Sequence, residues 1–388
     1  MSKLAILGGY TKGWQEIDSD SSVDEAQRAT QEVTLSSLRD ELSTICNSES
    51  LVVLAGSGTS LGIVDVSGTR CAPSMGDLWD EVKKLASFKT VKGQLSPELI
   101  SNGNLEHVLS DAQARQSLNS SNSDLTDFIA EAEGIVWNRC NFIDETSDLA
   151  THELFLRKVA RRSTRLQRTQ LFTTNYDLAF ETAAERSRFN TIDGFGYSGQ
   201  SFDGATFDLD YVRRRPHEPL MLEPNVFHLL KLHGSVNWNA TGPEIRKTYG
   251  GTKPAGPVLI YPSATKYKLS YQQPYLEFMS RFQMALRQPD VGLIVVGFGF
   301  NDDHLTAPVE AALRSNIGLR AVFVSPGVRD TDRAATFSWV EQLIEKGDRR
   351  LTLLRATFDD LVEVLPDVPP REDRDAHAER LADGSLKS

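Results

Sequence analysis

Residues 51–62 read LVVLAGSGTSLG, a continuous apolar run that stops abruptly at glycines and hydroxyls. An unbroken run, as opposed to an alternating one, marks a strand buried on both faces, as in a parallel sheet covered by helices. The glycines that follow allow a tight turn in which backbone comes close to another group. Three further stretches repeat the pattern of apolar run followed by reactive or turn-forming residues: 171–177 (LFTTNYD), 229–238 (LLKLHGSVNW) and 293–305 (LIVVGFGFNDDHL). Apolar strands are also expected at 226–232, 258–261 and 320–324, with helices at 152–168, 178–185, 275–287 and 305–315. Strands alternating with helices specify an α/β fold with a parallel sheet, whose ligands sit beyond the C-terminal ends of the strands. All four motifs lie at such ends.

Around this frame, 23–45 reads as a helix with an imperfect stripe of Val33, Leu38, Leu42 and Ile45. Residues 65–150 change character, with helices at 77–88, 105–118 and 123–141 joined by Ser/Asn/Gly-rich links, and are expected to form a helical insert in a domain spanning 23–366. Residues 1–22 are expected to be a flexible arm, and 367–388, rich in Pro, Asp and Arg, a disordered tail.

A formal charge of -11 argues against broad attraction to nucleic-acid phosphates and leaves only a local basic patch or a partner for such contact. The basic residues at 157–168 (Arg157, Lys158, Arg161, Arg162, Arg165, Arg168) read first as a solvated helix face, and 213–215 is a second cluster. Cys46, Cys71 and Cys140 are odd in number and contain no CxxC pair, which argues against a disulfide framework and a four-cysteine zinc site. No stretch reaches the ~18 apolar residues of a membrane span, and the apolar start is too short for a signal segment, so a cytoplasmic location is expected.

The chemistry-bearing positions each have a plain structural reading beside a functional one. Gly56, Ser57, Gly58, Thr59 and Ser60 could present amides to a phosphate, or could form a tight turn packed under the sheet. Asn175 and Asp177 suit an Asx turn opening a helix, but an amide can also orient water or a ribose hydroxyl, and a carboxylate can accept from a carboxamide. His233, between a strand and Gly234, is a poor metal candidate without a neighbouring Cys or His and a plausible general base. His228 on the same strand represents the ordinary core histidine. Gly297, Gly299, Asn301, Asp302 and Asp303 form another strand-to-helix junction, suited to capping or to a ribose or phosphate.

Taken in order, these motifs resemble those of the sirtuin family. AGSGTS (55–60) resembles the loop that holds the NAD diphosphate, which implies roles for Ala55, Gly56, Ser57, Gly58 and Ser60. TTNYD (173–177) resembles the stretch whose Asn handles ribose and water and whose Asp contacts nicotinamide. KLHGS (231–235) resembles the segment carrying the catalytic His. VVGFGFNDDHL resembles the late glycine loop near the nicotinamide-side ribose, implicating Gly297, Phe298, Gly299 and Asp303. FVSP (323–326) falls where family members hold adenosine, implicating Ser325. The resemblance implies a Rossmann-like, sirtuin-like sheet with NAD as substrate. It departs in two places: the paired zinc cysteines are missing, so no zinc ribbon or other metal is expected, and Asp65 and Arg70 are only approximate counterparts of the family's D-F-R-G loop.

The zinc-free pattern is instead similar to sirtuin-like effectors of bacterial anti-phage defence that hydrolyse NAD. Their late loop is matched by 297–303 and their apolar-Pro-x-x-x-Lys stretch by 260–266. That resemblance implies an oligomeric NAD glycohydrolase acting by NAD depletion and abortive infection, with catalytic Asn175, His233 and Asp177 and a hexameric HerA-type ATPase as partner. A non-catalytic NAD- or ADP-ribose-binding scaffold and an NAD-dependent deacylase are the alternatives.

Overall fold

The computed structural model describes residues 4–17, 25–196, 201–217, 219–241, 244–248, 257–259 and 273–367. Its elements run β1 (Leu4–Gly8), β2 (Gln15–Ile17), α1 (Glu25–Cys46), β3 (Ser50–Ala55), α2 (Met75–Val82), α3 (Ala86–Val91), α4 (Pro97–Asn102), α5 (Leu105–Leu118), α6 (Ser123–Cys140) and α7 (Ala150–Val159). Next come β4 (Gln170–Thr173), α8 (Ala179–Arg186), β5 (Asn190–Ile192), β6 (Val212–Arg213), β7 (Met221–Leu222), β8 (Val226–Lys231), β9 (Gly234–Thr241), β10 (Glu244–Lys247) and β11 (Pro257–Leu259). The chain closes with α9 (Tyr275–Ala285), β12 (Val291–Val296), α10 (Asp303–Ser315), β13 (Leu319–Val324), α11 (Ala335–Glu345), β14 (Leu351–Arg355) and α12 (Phe358–Val364).

Nine strands form one sheet in the order β2-β1-β14-β13-β12-β3-β4-β8-β5, parallel from β14 through β5 and antiparallel at β1 and β2. The central strands are buried throughout, as their unbroken apolar runs require. Leu51, Val53 and Leu171 face a core completed by α1, α7, α8 and α12, while Val52, Leu54 and Phe172 face one completed by α9, α10 and α11. Helices on both faces of a mostly parallel sheet define the α/β class. Residues of α2 through α6 gather a third core of their own around Trp79, Phe128 and Trp137. That core meets the loop after β4 through Tyr176 and β9 through Val236, and Trp137 Nε1 donates to Val236 O at 2.7 Å.

Several expectations need correction. Residues 4–17 form β1 and the edge strand β2, not a flexible arm: Leu4, Ile6 and Leu7 are buried where β1 pairs with β14. The described part of the strand expected at 258–261, within β11 (Pro257–Leu259), belongs to a separate three-stranded antiparallel sheet, β10-β9-β11. The helix expected over 152–168 ends at Val159, because Arg162 turns inward, its guanidinium donating to Gln167 O and Ser48 O. The basic cluster is therefore only partly a solvated face. Lys158 donates to Val362 O and Leu365 O at the end of α12, and Arg168 grips Asp210 with two bonds of 3.0 and 2.9 Å. The stretch 260–266 and residues 368–388 lie outside the described residues. Among those described, no helix is long and apolar enough to cross a membrane.

Candidate active site

β3, β4 and β12 are neighbours, with β8 beside β4, so the parallel sheet delivers all four motifs to one edge. There they line a single cavity together with α2, α5 and α6 of the helical segment. Ser57, Ser60, Asn175, Asp177, His233, Gly297, Phe298 and Gly299 are in its wall.

Asn175 follows β4 and is buried. Its Nδ2 donates to Thr59 Oγ1 at 3.0 Å and to Ser60 Oγ at 2.9 Å, while its Oδ1 has no partner among the described residues. A buried acceptor left unpaired costs about 1–3 kcal/mol, so a donor entering the cavity, such as a water or a hydroxyl, would find it favourable. Ser60 Oγ in turn donates to Asp177 Oδ2 at 2.8 Å, and Asp177 Oδ1 accepts from the Ala179 amide at 3.0 Å. Asp177 thus opens α8 as well as facing the cavity. Burial raises its carboxyl above the ordinary range, and the Lys231 ammonium opposes that rise.

Lys231, at the end of β8, does not reach the cavity. Its ammonium donates to Glu181 Oε1 at 2.9 Å and to the carbonyls of Tyr176 and Asp177, pinning the turn that carries Asn175. His233 follows two residues later and is buried. Its Nε2 lies 2.9 Å from Asp302 Oδ2, and its Nδ1 lies 3.9 Å from Glu106 Oε1. Glu106 belongs to the first turn of α5 and accepts from Tyr176 Oη at 3.0 Å. His228, by contrast, is half-buried on β8 and stands apart from the cavity beside Phe207, with desolvation driving its pKa down to about 4.

The glycines act differently from the phosphate-cradle expectation. The amides of Gly56 and Gly58 donate to Val296 O and Gly297 O, each at 3.0 Å, and are already satisfied. What glycine provides is proximity. A Cβ on Gly56 would lie 2.4 Å from Gly297 O, and one on Gly58 would lie 2.6 Å from Gly297 Cα. The two glycine loops are packed back to back, and Gly297 itself has a φ of +65°. Nearby, Phe300 holds a left-handed φ of 55°, a conformation that costs a non-glycine residue ~1–2 kcal/mol and is retained by its packing against Phe298, Phe323 and Phe337.

Ala55, Gly56, Gly58, Asp303 and Ser325 are not in the cavity wall. Ala55 is inside the sheet, Asp303 is exposed at the start of α10, and Ser325 is half-buried after β13, its Oγ accepting from the Gly327 amide. Asp65 folds onto Ser67 and Thr69, and Arg70 pairs with Asp77, so neither faces the cavity. The residues that sequence reasoning missed are Glu106 and Tyr176, while Asp302 was singled out only as one member of the strand-to-helix junction. Asp302 carried a signal as a helix-capping residue, whereas Glu106 carried none. No group of three or more His, Cys, Asp or Glu placed to hold a metal ion occurs among the described residues.

Comparison with curated proteins finds no match. Among solved structures, the chain is similar to a mutant Sir2 homologue complexed with 2'-O-acetyl ADP ribose, at 16% identity and a TM-score of 0.41, covering 90% of this chain and 98% of that one. It is also similar to a Sir2 homolog–NAD complex at 15% identity and a TM-score of 0.41, covering 87% of this chain and 94% of that one. A mutant Sir2 homologue bound to ADP ribose matches at 16% identity and a TM-score of 0.37, covering 87% and 97%. The family model described as SIR2-like domain matches residues 169–341, a span that holds Asn175, Asp177, His233 and Asp302.

Proposed function

We propose that the protein is an NAD glycohydrolase that cleaves the nicotinamide–ribose bond, giving nicotinamide and ADP-ribose. The observation that carries this reading is the meeting of Asn175, Asp177 and His233 in one buried wall, within the stretch that matches the SIR2-like domain model. Nicotinamide departs from NAD as a neutral molecule, taking the electron pair of the N–C1' bond. The protein must therefore mainly orient the dinucleotide and stabilise the oxocarbenium-like ribose that remains. Asn175, whose Oδ1 awaits a donor, positions the attacking water. His233 accepts the proton that this water or a ribose hydroxyl releases. Asp177 offers its remaining acceptor positions to the carboxamide, and Ser57, Ser60 and the 297–299 loop border the rest of the substrate.

The setting in anti-phage defence, the HerA-type ATPase partner and the oligomeric assembly belong to the same proposal and are supported by motif resemblance alone. The test is release of nicotinamide from NAD by the protein, with and without a HerA-type ATPase. Losing a positioned base costs typically 10²–10⁴-fold, so Asn175→Ala and His233→Ala are each expected to lower turnover by at least about 100-fold while leaving the fold intact. Full cleavage by both variants would sink the assignment. Tight NAD binding with no nicotinamide release under any condition would favour the scaffold reading.

A further inference from the structure

We propose that Asp302 and Glu106 bracket His233 as positioning residues, Asp302 holding the ring in its Nε2–H tautomer so that Nδ1, the nitrogen on the Glu106 side, receives the proton. This inference rests on the reading of His233 as the base. Its starting point is the 2.9 Å contact between His233 Nε2 and Asp302 Oδ2, both groups being buried. An ionised carboxylate can only accept, so the ring nitrogen that faces it is the one that bears hydrogen, and a neutral imidazole then keeps its lone pair on the other nitrogen.

Asp302 is well fixed for this task. It caps α10, with Oδ1 accepting from the His304 amide at 3.0 Å and its carbonyl accepting from the Thr306 amide and hydroxyl at 2.9 and 2.8 Å. On the other side of the ring, Glu106 Oε1 stands 3.9 Å from Nδ1, beyond hydrogen-bond reach, and is held by Tyr176 Oη and by the α5 turn that Asn104 caps. As water attacks C1', its oxygen forms the new bond, nicotinamide leaves with the old bonding pair, and the water proton passes to Nδ1. The imidazolium then has a carboxylate on each side. The other titratable groups around it are Tyr176, Asp177 and Cys140 in the same cavity, and Lys231 on the preceding strand, whose ammonium is engaged by Glu181.

The tautomer can be read without any reaction, from long-range ¹H–¹⁵N spectra of the full chain with ring-labelled histidine, His233 being identified by the signals lost in His233→Gln. A protonated Nε2 and an unprotonated Nδ1, with that pattern lost in Asp302→Asn, are the expected results. An Nδ1–H tautomer, or a pattern unchanged in Asp302→Asn, would overturn the proposal. Because this readout uses no NAD, a lack of cleavage overturns the hydrolase reading alone. In turnover, Asp302→Asn is expected to lower kcat by at least about 10-fold with KM changed by less than about threefold. Glu106→Gln removes a negative charge beside the ring, so the acidic limb of the kcat profile moves to lower pH. A limb that stays in place in Glu106→Gln, with NAD affinity unchanged, removes Glu106 from the scheme.

Discussion

Replacing Lys231 by Met tests how the Asn175 turn is held. The ammonium is 3% exposed and serves three acceptors: Glu181 Oε1 and the carbonyls of Tyr176 and Asp177. Methionine keeps the length and apolar stem but supplies no donor. Breaking a buried ion pair by removing one partner costs about 3–5 kcal/mol, and each buried carbonyl left unpaired about 1–3 kcal/mol. One ammonium makes all three contacts, so these figures overlap, and Glu181, 18% exposed, recovers part of its hydration. A loss of about 3–5 kcal/mol is therefore expected for Lys231→Met, read from the urea midpoint at constant m-value. Lys231→Met combined with Glu181→Leu removes the charge together with its partner and is expected to recover at least half of the loss. The deficit also depends on pH. Burial raises the Asp177 carboxyl above its ordinary 3.8, and the Lys231 ammonium is the largest of the groups that restrain that rise, ahead of the Ala179 amide and the Ser60 hydroxyl. A raised carboxyl contributes stability that is complete below the ordinary value and is lost as pH climbs through the raised one. Without Lys231 the raised value climbs further, so the deficit should be larger at pH 7 than at pH 4. A loss below about 1 kcal/mol, the range of an exposed ion pair, would refute the account of Lys231 as the pin of this turn.

Gly297→Ala should destabilise by about 2–5 kcal/mol, since it adds the left-handed penalty to a Cβ placed 2.7 Å from Thr59 N. Because Thr59 and Ser60 hold Asn175, calorimetric NAD binding should weaken together with the melting temperature. His152 is 2% exposed, lies between Phe180 and Phe358 with neither ring nitrogen partnered among the described residues, and is driven by burial to a pKa of about 4 from 6.5. A depressed histidine contributes stability above its unfolded value and loses it as pH falls through the folded one. The chain should therefore lose about 3 kcal/mol from this site between pH 6.5 and 4, a loss that His152→Phe abolishes in melting curves recorded across that range.

What the sequence disclosed follows from how each signal is encoded. The runs at 51–55 and 293–296 are unbroken apolar stretches ending in breakers, and with the shorter Leu171–Phe172 pair they locate β3, β12 and β4 closely. β1 was hidden because LAILG is short and runs into Gly9, and β14 because LTLLR carries one polar residue inside and a charge at its end. The same limit applies in the site. His233 and Asn175 stand out because polar groups interrupt apolar strands, but the choice among Asn301, Asp302 and Asp303 depends on which side chain turns inward as the α10 cap. Only the packed chain makes that choice. Glu106 lies on an ordinary helix start, and its meeting with Tyr176 spans 70 residues. The glycines were legible as glycines, but their purpose was not, because close approach between two loops leaves no mark in either loop alone.

The order of the sheet has a consequence for how the molecule is made. The site bonds join residues 115 and 117 apart at Ser60 and 69 apart at His233, so no local segment contains them. β12 must slot between β3 and β13 before Asp302 can reach His233. During synthesis from the N-terminus, a chain that has not yet released residues 291–302 therefore holds the histidine without its carboxylate, and β3 remains an unprotected edge. Such a nascent chain lacks the assembled site, and what it exposes in the meantime is a strand edge prone to mispairing.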